Sequence, residues 1–178
     1  MKKYIFVLGV AVSVFFTGCG KSENSETSTS TANQKLLKLL ELEATDKIPS
    51  LDRTSTIEGI DSDGNGVRDD IEEYIDSTYI KTEQKSAVLQ AAKAMQEALL
   101  ADKTDSIAVK EVAYKNVLAT KCIYLKFSGG SSSKEPSLVA SEIETITTNT
   151  KLRLLEYLEL NKALDGTSWS LPVGDTCE

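Results

Sequence analysis

Not one of the 178 residues is a histidine. That absence removes Ser-His-Asp and Cys-His nucleophile arrangements and the common His-containing zinc sites. Neither GxSxG nor a phosphate-cradling GxxxxGK[ST] occurs, and the run GGSSS at Gly129–Ser133 lacks the GK[ST] that would complete such a loop. Cysteine is scarce, three in all with no CxxC, which argues against dithiol redox chemistry. Nothing alternates with period two, and no internal repeat is visible. Basic residues are outnumbered 20 to 27, giving a net charge of −7, which repels nucleic-acid phosphates and anionic lipid alike. Carboxylates are abundant, yet no spacing singles out a pair for glycoside hydrolysis. No catalytic residue is assigned.

What is present begins with an address. Lys2 and Lys3 precede an apolar run from Tyr4 to Phe16 and then Thr17-Gly18-Cys19, the order of a secretory signal peptide too short to span a bilayer. Phe16-Thr17-Gly18-Cys19 resembles the lipobox of bacterial lipoproteins, with Phe where Leu is commonest. The resemblance implies cleavage after residue 18, acylation of Cys19 and attachment to a lipid bilayer without a spanning helix. An ordinary secreted protein cut nearby is the alternative. Gly20 follows the cysteine where Asp would suggest inner-membrane retention, so the family pattern implies the outer membrane facing the periplasm, with the cell surface as the other location. Loss of Lys2 and Lys3 leaves 18 basic against 27 acidic residues, a balance of −9.

The segment 19–34 is rich in Ser, Thr, Glu and Asn and has no large apolar residue, so it reads as a flexible tether. Residues 35–178 suit one domain. With Cys19 assigned to lipid, Cys122 and Cys177 are expected either to form a disulfide, which this compartment permits, or to remain as two buried thiols.

Helical periodicity dominates the domain. Lys35–Ala44 places leucines at 36, 37, 39, 40 and 42 among Lys and Glu, a helix expected to pack on the domain. Thr82–Leu100 carries Val88, Ala91, Ala92, Met95 and Leu99 on one face, and Asp105–Phe127 becomes apolar nearly all round from Val117, which predicts a central position. Between Pro136 and Gly166 a third helix is predicted, with Ile143, Ile146, Leu154, Tyr157, Leu158 and Leu164 inward. The expected fold is all-α: a small bundle of four to five helices with one calcium-type loop and a C-terminal tail in which Trp169 is a packing anchor.

The loop is DSDGNGVRDDIE, Asp61 to Glu72. Asp61, Asp63 and Asn65 stand at positions one, three and five, Gly66 at six, Val67 at seven, Asp69 at nine and Glu72 at twelve. Alternate oxygen-bearing residues in a curling loop can face one point, as Ca²⁺ with its six to eight hard oxygen ligands requires. Gly66 permits the turn, Val67 offers its carbonyl, Asp69 acts through water and Glu72 closes the site from the next helix. The pattern meets the EF-hand calcium consensus and resembles the loops of dockerin modules and thrombospondin type 3 repeats. Three departures stand against a paired sensor: Arg68 at position eight where an aliphatic residue is usual, IPSLDRTSTIEGI before the loop where a helix would be, and no second loop. A solvated acidic turn is the alternative, although its four ligating carboxylates would repel one another without a cation. A structural Ca²⁺ is therefore expected on Asp61, Asp63, Asn65, Val67, Asp69 and Glu72. The functional expectation is a membrane-anchored envelope module that binds or supports an unidentified envelope protein, without nucleic acid. An envelope enzyme or its regulatory subunit is the alternative.

Overall fold

The structure, a computed structural model, describes residues 37–45, 48–128 and 134–178. The signal peptide, Cys19, the tether and Lys35–Leu36 lie outside the described residues. The chain divides into two units, 1–41 and 42–178. Of the first, residues 37–41 are helical and Lys38 Nζ lies 2.9 Å from Glu41 Oε2. This helix, α1, runs over 37–44, and its Leu37 and Leu40 are exposed.

The second unit contains α2 (Asp69–Thr78), α3 (Thr82–Leu100), α4 (Ser106–Phe127), α5 (Pro136–Thr147) and α6 (Lys151–Ala163). All regular structure among the described residues is helical. The helix starts follow capping chemistry. Asp105 accepts from the N–H groups of Ile107 (2.8 Å) and Ala108 (3.3 Å) at the head of α4, Pro136 opens α5, and the Thr150 hydroxyl accepts from Arg153 N–H (3.3 Å) at the head of α6. Asp69, Asp70 and Glu72 place negative charge in the first turn of α2, where the exposed N–H groups favour it.

Two sequence expectations change here. The single helix read between Pro136 and Gly166 is two, because Thr148-Asn149-Thr150 breaks it: Asn149 Nδ2 donates to the Asp52 carbonyl (2.8 Å) and Thr150 caps the new start. The centre of the bundle is α3, packed against α2, α4, α5 and α6, whereas Tyr124 and Leu125 of α4 are exposed. Alanines explain the exchange: Ala87, Ala91, Ala92, Ala94 and Ala98 are buried in α3 and let its neighbours approach on several sides.

The main core joins Ile71, Ile75 and Tyr79 around α2 to Val88 and Ala92 of α3, Ile123 and Phe127 of α4, and Val139 and Ile143 of α5. Tyr79 meets Phe127 edge to face, with centroids 5.5 Å apart. A smaller cluster of Ala98, Val109, Val112 and Leu160 attaches α6. The inward line of α6 runs through Arg153, Tyr157, Leu160 and Leu164, so Leu154 and Leu158, expected inside, are exposed.

The tail returns across α3 and α4. Cys122 and Cys177 form a disulfide, Gln90 Nε2 donates to the Thr176 carbonyl (2.9 Å), and the Thr176 hydroxyl donates to the Leu118 carbonyl (2.9 Å). The bridge spans 55 residues, for which loop-closure entropy gives about 4 kcal/mol of stabilisation. We expect Cys122→Ala with Cys177→Ala to lower the urea midpoint by an amount equivalent to about 2–4 kcal/mol. An unchanged midpoint in the double variant would show that the tail contributes nothing to the bundle.

Candidate functional site

The loop 61–72 is organised by its own carboxylates. Asp61 Oδ1 accepts from the N–H groups of Gly64 (2.9 Å) and Asn65 (3.2 Å), and Oδ2 accepts from Gly66 N–H (2.9 Å). Asp61 at position one therefore winds the loop around itself. Gly66 has φ +89°, a left-handed conformation that a side chain would strain, in agreement with its position-six role. The Asn65 amide nitrogen lies 3.0 Å from Asp63 Oδ2 and 2.7 Å from Glu72 Oε1, so the side chains of positions three, five and twelve converge. Asn65 Oδ1 accepts from Val67 N–H (2.8 Å).

Asp69 is placed differently. Its carboxylate accepts from Ser62 N–H (2.8 Å) and from the Ser62 hydroxyl (2.6 Å), and these two bonds hold its pKa below the ordinary carboxylate value. It braces the two ends of the loop together with the Asp69 N–H bond to the Ile60 carbonyl (2.9 Å). Position nine is the one usually served by water, so this bracing leaves the direct donors in place. Glu72 and Asn65 open onto a shallow cleft of about 290 Å³, with Lys93 and Glu178 among its other walls.

The donor set is the right chemistry for a hard divalent cation. Between Asp63 and Glu72 the amide N–H₂ of Asn65 supplies the positive edge that two facing carboxylates need. Rotating that amide by half a turn would put Oδ1 in its place and give an all-oxygen cluster. In the conformation described, no group of three or more His, Cys, Asp or Glu side chains among the described residues is drawn together closely enough to hold an ion.

Arg68 explains how a lone loop is held. It is fully buried, and its Nε and Nη2 grip Asp70 Oδ1 and Oδ2 at 2.8 and 2.7 Å. Nη1 donates to the Thr147 carbonyl (3.1 Å) and Nη2 to the Ile146 carbonyl (3.1 Å), at the negative end of the α5 dipole. Where a paired loop would lay an aliphatic residue against its twin, this chain docks an arginine on its own bundle.

A second buried arginine completes the support. Arg153 of α6 donates to the carbonyls of Ile57 (3.1 Å) and Asp52 (2.7 Å) and to Asn149 Oδ1 (2.8 Å), with Asp52 Oδ1 3.5 Å away. Burial, and then the like charge of Arg68, lower its pKa. Asp52 accepts from Thr54 N–H (2.6 Å) and Ile60 N–H (2.8 Å), while Asp52 N–H donates to Asp70 Oδ2 (2.9 Å). The stretch before the loop is consequently an irregular strap fixed by polar contacts, as the missing helical pattern implied. Gly59 passes against both arginines at φ +73°, and a Cβ there would collide with Arg68 Cδ and sit 2.7 Å from Arg153 Nη2. Only glycine fits that position.

Asp52, Asp70, Asn149 and Arg153 were not singled out from the sequence. The one available signal was Arg153 itself, a cation flanked by leucines in the run LRLL. No protein-family model matches the chain, and no curated protein or solved structure matches it at a significant level.

Burial alone would raise the Asp52 pKa, but hydrogen bonds from Thr54 and Ile60 and the Arg153 charge more than offset it and bring it down to about 2. A depressed carboxyl contributes stability that is present above its unfolded value of 3.8 and is lost as pH falls through about 2. That contribution is on the order of 2 kcal/mol. Urea midpoints measured from pH 7 to 2 are expected to fall less steeply below pH 4 for Asp52→Asn than for the parent. The variant starts from a lower midpoint at pH 7 because Arg153 loses its counter-charge. Parallel pH profiles for the two proteins would refute the role of Asp52.

Proposed function

We propose that this chain is a cell-envelope lipoprotein whose helical domain is a binding or structural module held in shape by a constitutively bound Ca²⁺. The observation that carries the reading is the convergence of Asp63, Asn65 and Glu72 within a loop already wound by Asp61, in a sequence that meets every ligand position of the calcium pattern and its glycine. Asp61, Asp63, Asn65, Glu72 and the Val67 carbonyl supply oxygens, with Asp69 acting through water. The ion neutralises carboxylates that otherwise repel, and fixes the first turn of α2, which carries Ile71 and Ile75 into the core.

The lone loop places the affinity in the ~10⁻⁴ to 10⁻³ M class of extracellular modules, suited to continuous occupancy in near-millimolar calcium. A switching role would need a surface that opens on binding. Here Arg68, ion-paired with Asp70 inside the loop, fastens it to α5 through buried hydrogen bonds to the Ile146 and Thr147 carbonyls, which favours a clamp.

Addition of Ca²⁺ to the chelator-treated protein is expected to raise the melting temperature, by RT ln(1 + [L]/Kd) in free-energy terms, or ~1.4 kcal/mol at ten times Kd. Asp61→Ala with Glu72→Ala removes the rise; an equal rise in that double variant sinks the site. The anchor is read separately, as added acyl mass on Cys19 in protein extracted from membranes, and an unmodified N-terminus would overturn it.

A further inference from the structure

α6 packs on the bundle through a narrow line of residues, and a cavity of about 250 Å³ is left where α3, α4, α5, α6 and the tail meet. Its apolar wall includes Met95, Val117 and Leu160, and two aromatic residues, Tyr157 and Trp169, also line it. The polar groups are neutral or acidic: Thr120, Asn116, Asn161, the Tyr157 hydroxyl and Glu144. Asn116 Nδ2 spends its hydrogens on the carbonyls of Ala94 (3.1 Å) and Val112 (2.8 Å), which leaves Oδ1 as an open acceptor.

Glu144 adds a negative charge that meets the Tyr157 hydroxyl but no cation. Glu142 and Glu156 nearby in sequence are paired with Lys134 and Lys103, whereas no lysine or arginine among the described residues lies within salt-bridge distance of Glu144. No cationic side chain lines the cavity. The tail that carries Trp169 is held by the Cys122–Cys177 disulfide and by Lys121, which donates to the Pro172 carbonyl. From outside, Tyr114 packs on the indole with ring centroids 6.4 Å apart.

We propose that this cavity binds a small organic ammonium ion, with Glu144 and Asn116 facing its charge and the rings of Tyr157 and Trp169 covering its apolar body. Ring faces attract cations through their quadrupole, a carboxylate without a counter-cation adds charge, and an anion would find no cationic side chain there. The Tyr157 hydroxyl stays protonated: burial pushes its pKa up, the Asn161 hydrogen bond opposes this, and Glu144 adds to the rise. The same chemistry exists in a free ammonium compound and in a choline lipid headgroup. The cavity's volume, at or below the small end of ligand pockets, favours the free ion.

Trp169 is the only tryptophan in the chain, so its emission reports the cavity directly. Choline titrated into the full chain is expected to change that emission saturably, in calcium and in chelator alike, so that failure of the calcium site and failure of this one are separable. Its neutral isostere 3,3-dimethyl-1-butanol is expected to bind about tenfold more weakly or not at all. Glu144→Gln, at an exposed position where the amide oxygen can still accept from the Tyr157 hydroxyl, weakens choline about tenfold or more with the melting temperature little changed, and Glu159→Gln leaves binding as it was. Equal affinity for the neutral isostere, a non-saturating signal, or an undiminished response in Glu144→Gln overturns the proposal. Capture by phosphatidylcholine vesicles without a response to free choline overturns it as well.

Discussion

The unit 42–178 depends on two guanidinium groups buried side by side. Arg68 and Arg153 are both removed from solvent, a position that costs several kcal/mol per ion unless geometry compensates. Compensation here is complete on both counts that matter. Each arginine has a carboxylate, Asp70 for Arg68 and Asp52 for Arg153, and further donors go to main-chain carbonyls, to Asn149 and to the Thr54 hydroxyl. The acceptors come from the strap at 52–57, the end of α5 and the turn before α6. Elements that share little apolar contact are thus joined by directional bonds. Such a clasp fixes geometry more strictly than an apolar patch of equal size, because displacing any one acceptor leaves a buried charge unpaired.

The clasp and the loop share neighbouring residues of one turn. Asp69 turns toward the loop and Ser62, Asp70 turns toward Arg68 and the strap, and Glu72 returns to Asn65. A cation at the loop would therefore act on residues that already position α2. This arrangement replaces the second loop of a paired site. It also accounts for the irregular strap, since a helix before Asp61 would withdraw the carbonyls of Asp52 and Ile57 from Arg153 by bonding them internally.

Helices and loop were legible in the sequence because each rests on local rules. Spacing of 3.6 gave α3 and α4 almost to the residue, and the side-chain types at alternate positions singled out the loop. The clasp was not legible, because the main-chain carbonyls that its two arginines reach lie 78 to 101 residues away and no local pattern links them. Arg68 read as a departure from the calcium pattern when it was the anchor. The same blindness misassigned α6: leucines at 154 and 158 suggested an apolar face, but the demand of Arg153 for the strap carbonyls sets the helix rotation and turns them outward. The break at Thr148–Thr150 was visible as a polar run, yet only the contact between Asn149 and Asp52 makes it a turn.

Both ligands proposed for this chain are cations, and the chain's excess of acidic over basic residues would raise their concentration near its surface without distinguishing them. That field is screened within about 8 Å at physiological salt, so selection must occur at contact. The two sites differ there in kind. The loop offers carboxylate and amide oxygens that can replace the water of a small, strongly hydrated ion, and no aromatic ring lines the cleft beside it to cover a methylated cation. The cavity offers a single carboxylate beside neutral groups and two rings, too little negative charge to compensate a stripped divalent ion but suited to a weakly hydrated ammonium with a hydrocarbon body. The cost of dehydration separates them: what the loop can strip, the cavity cannot.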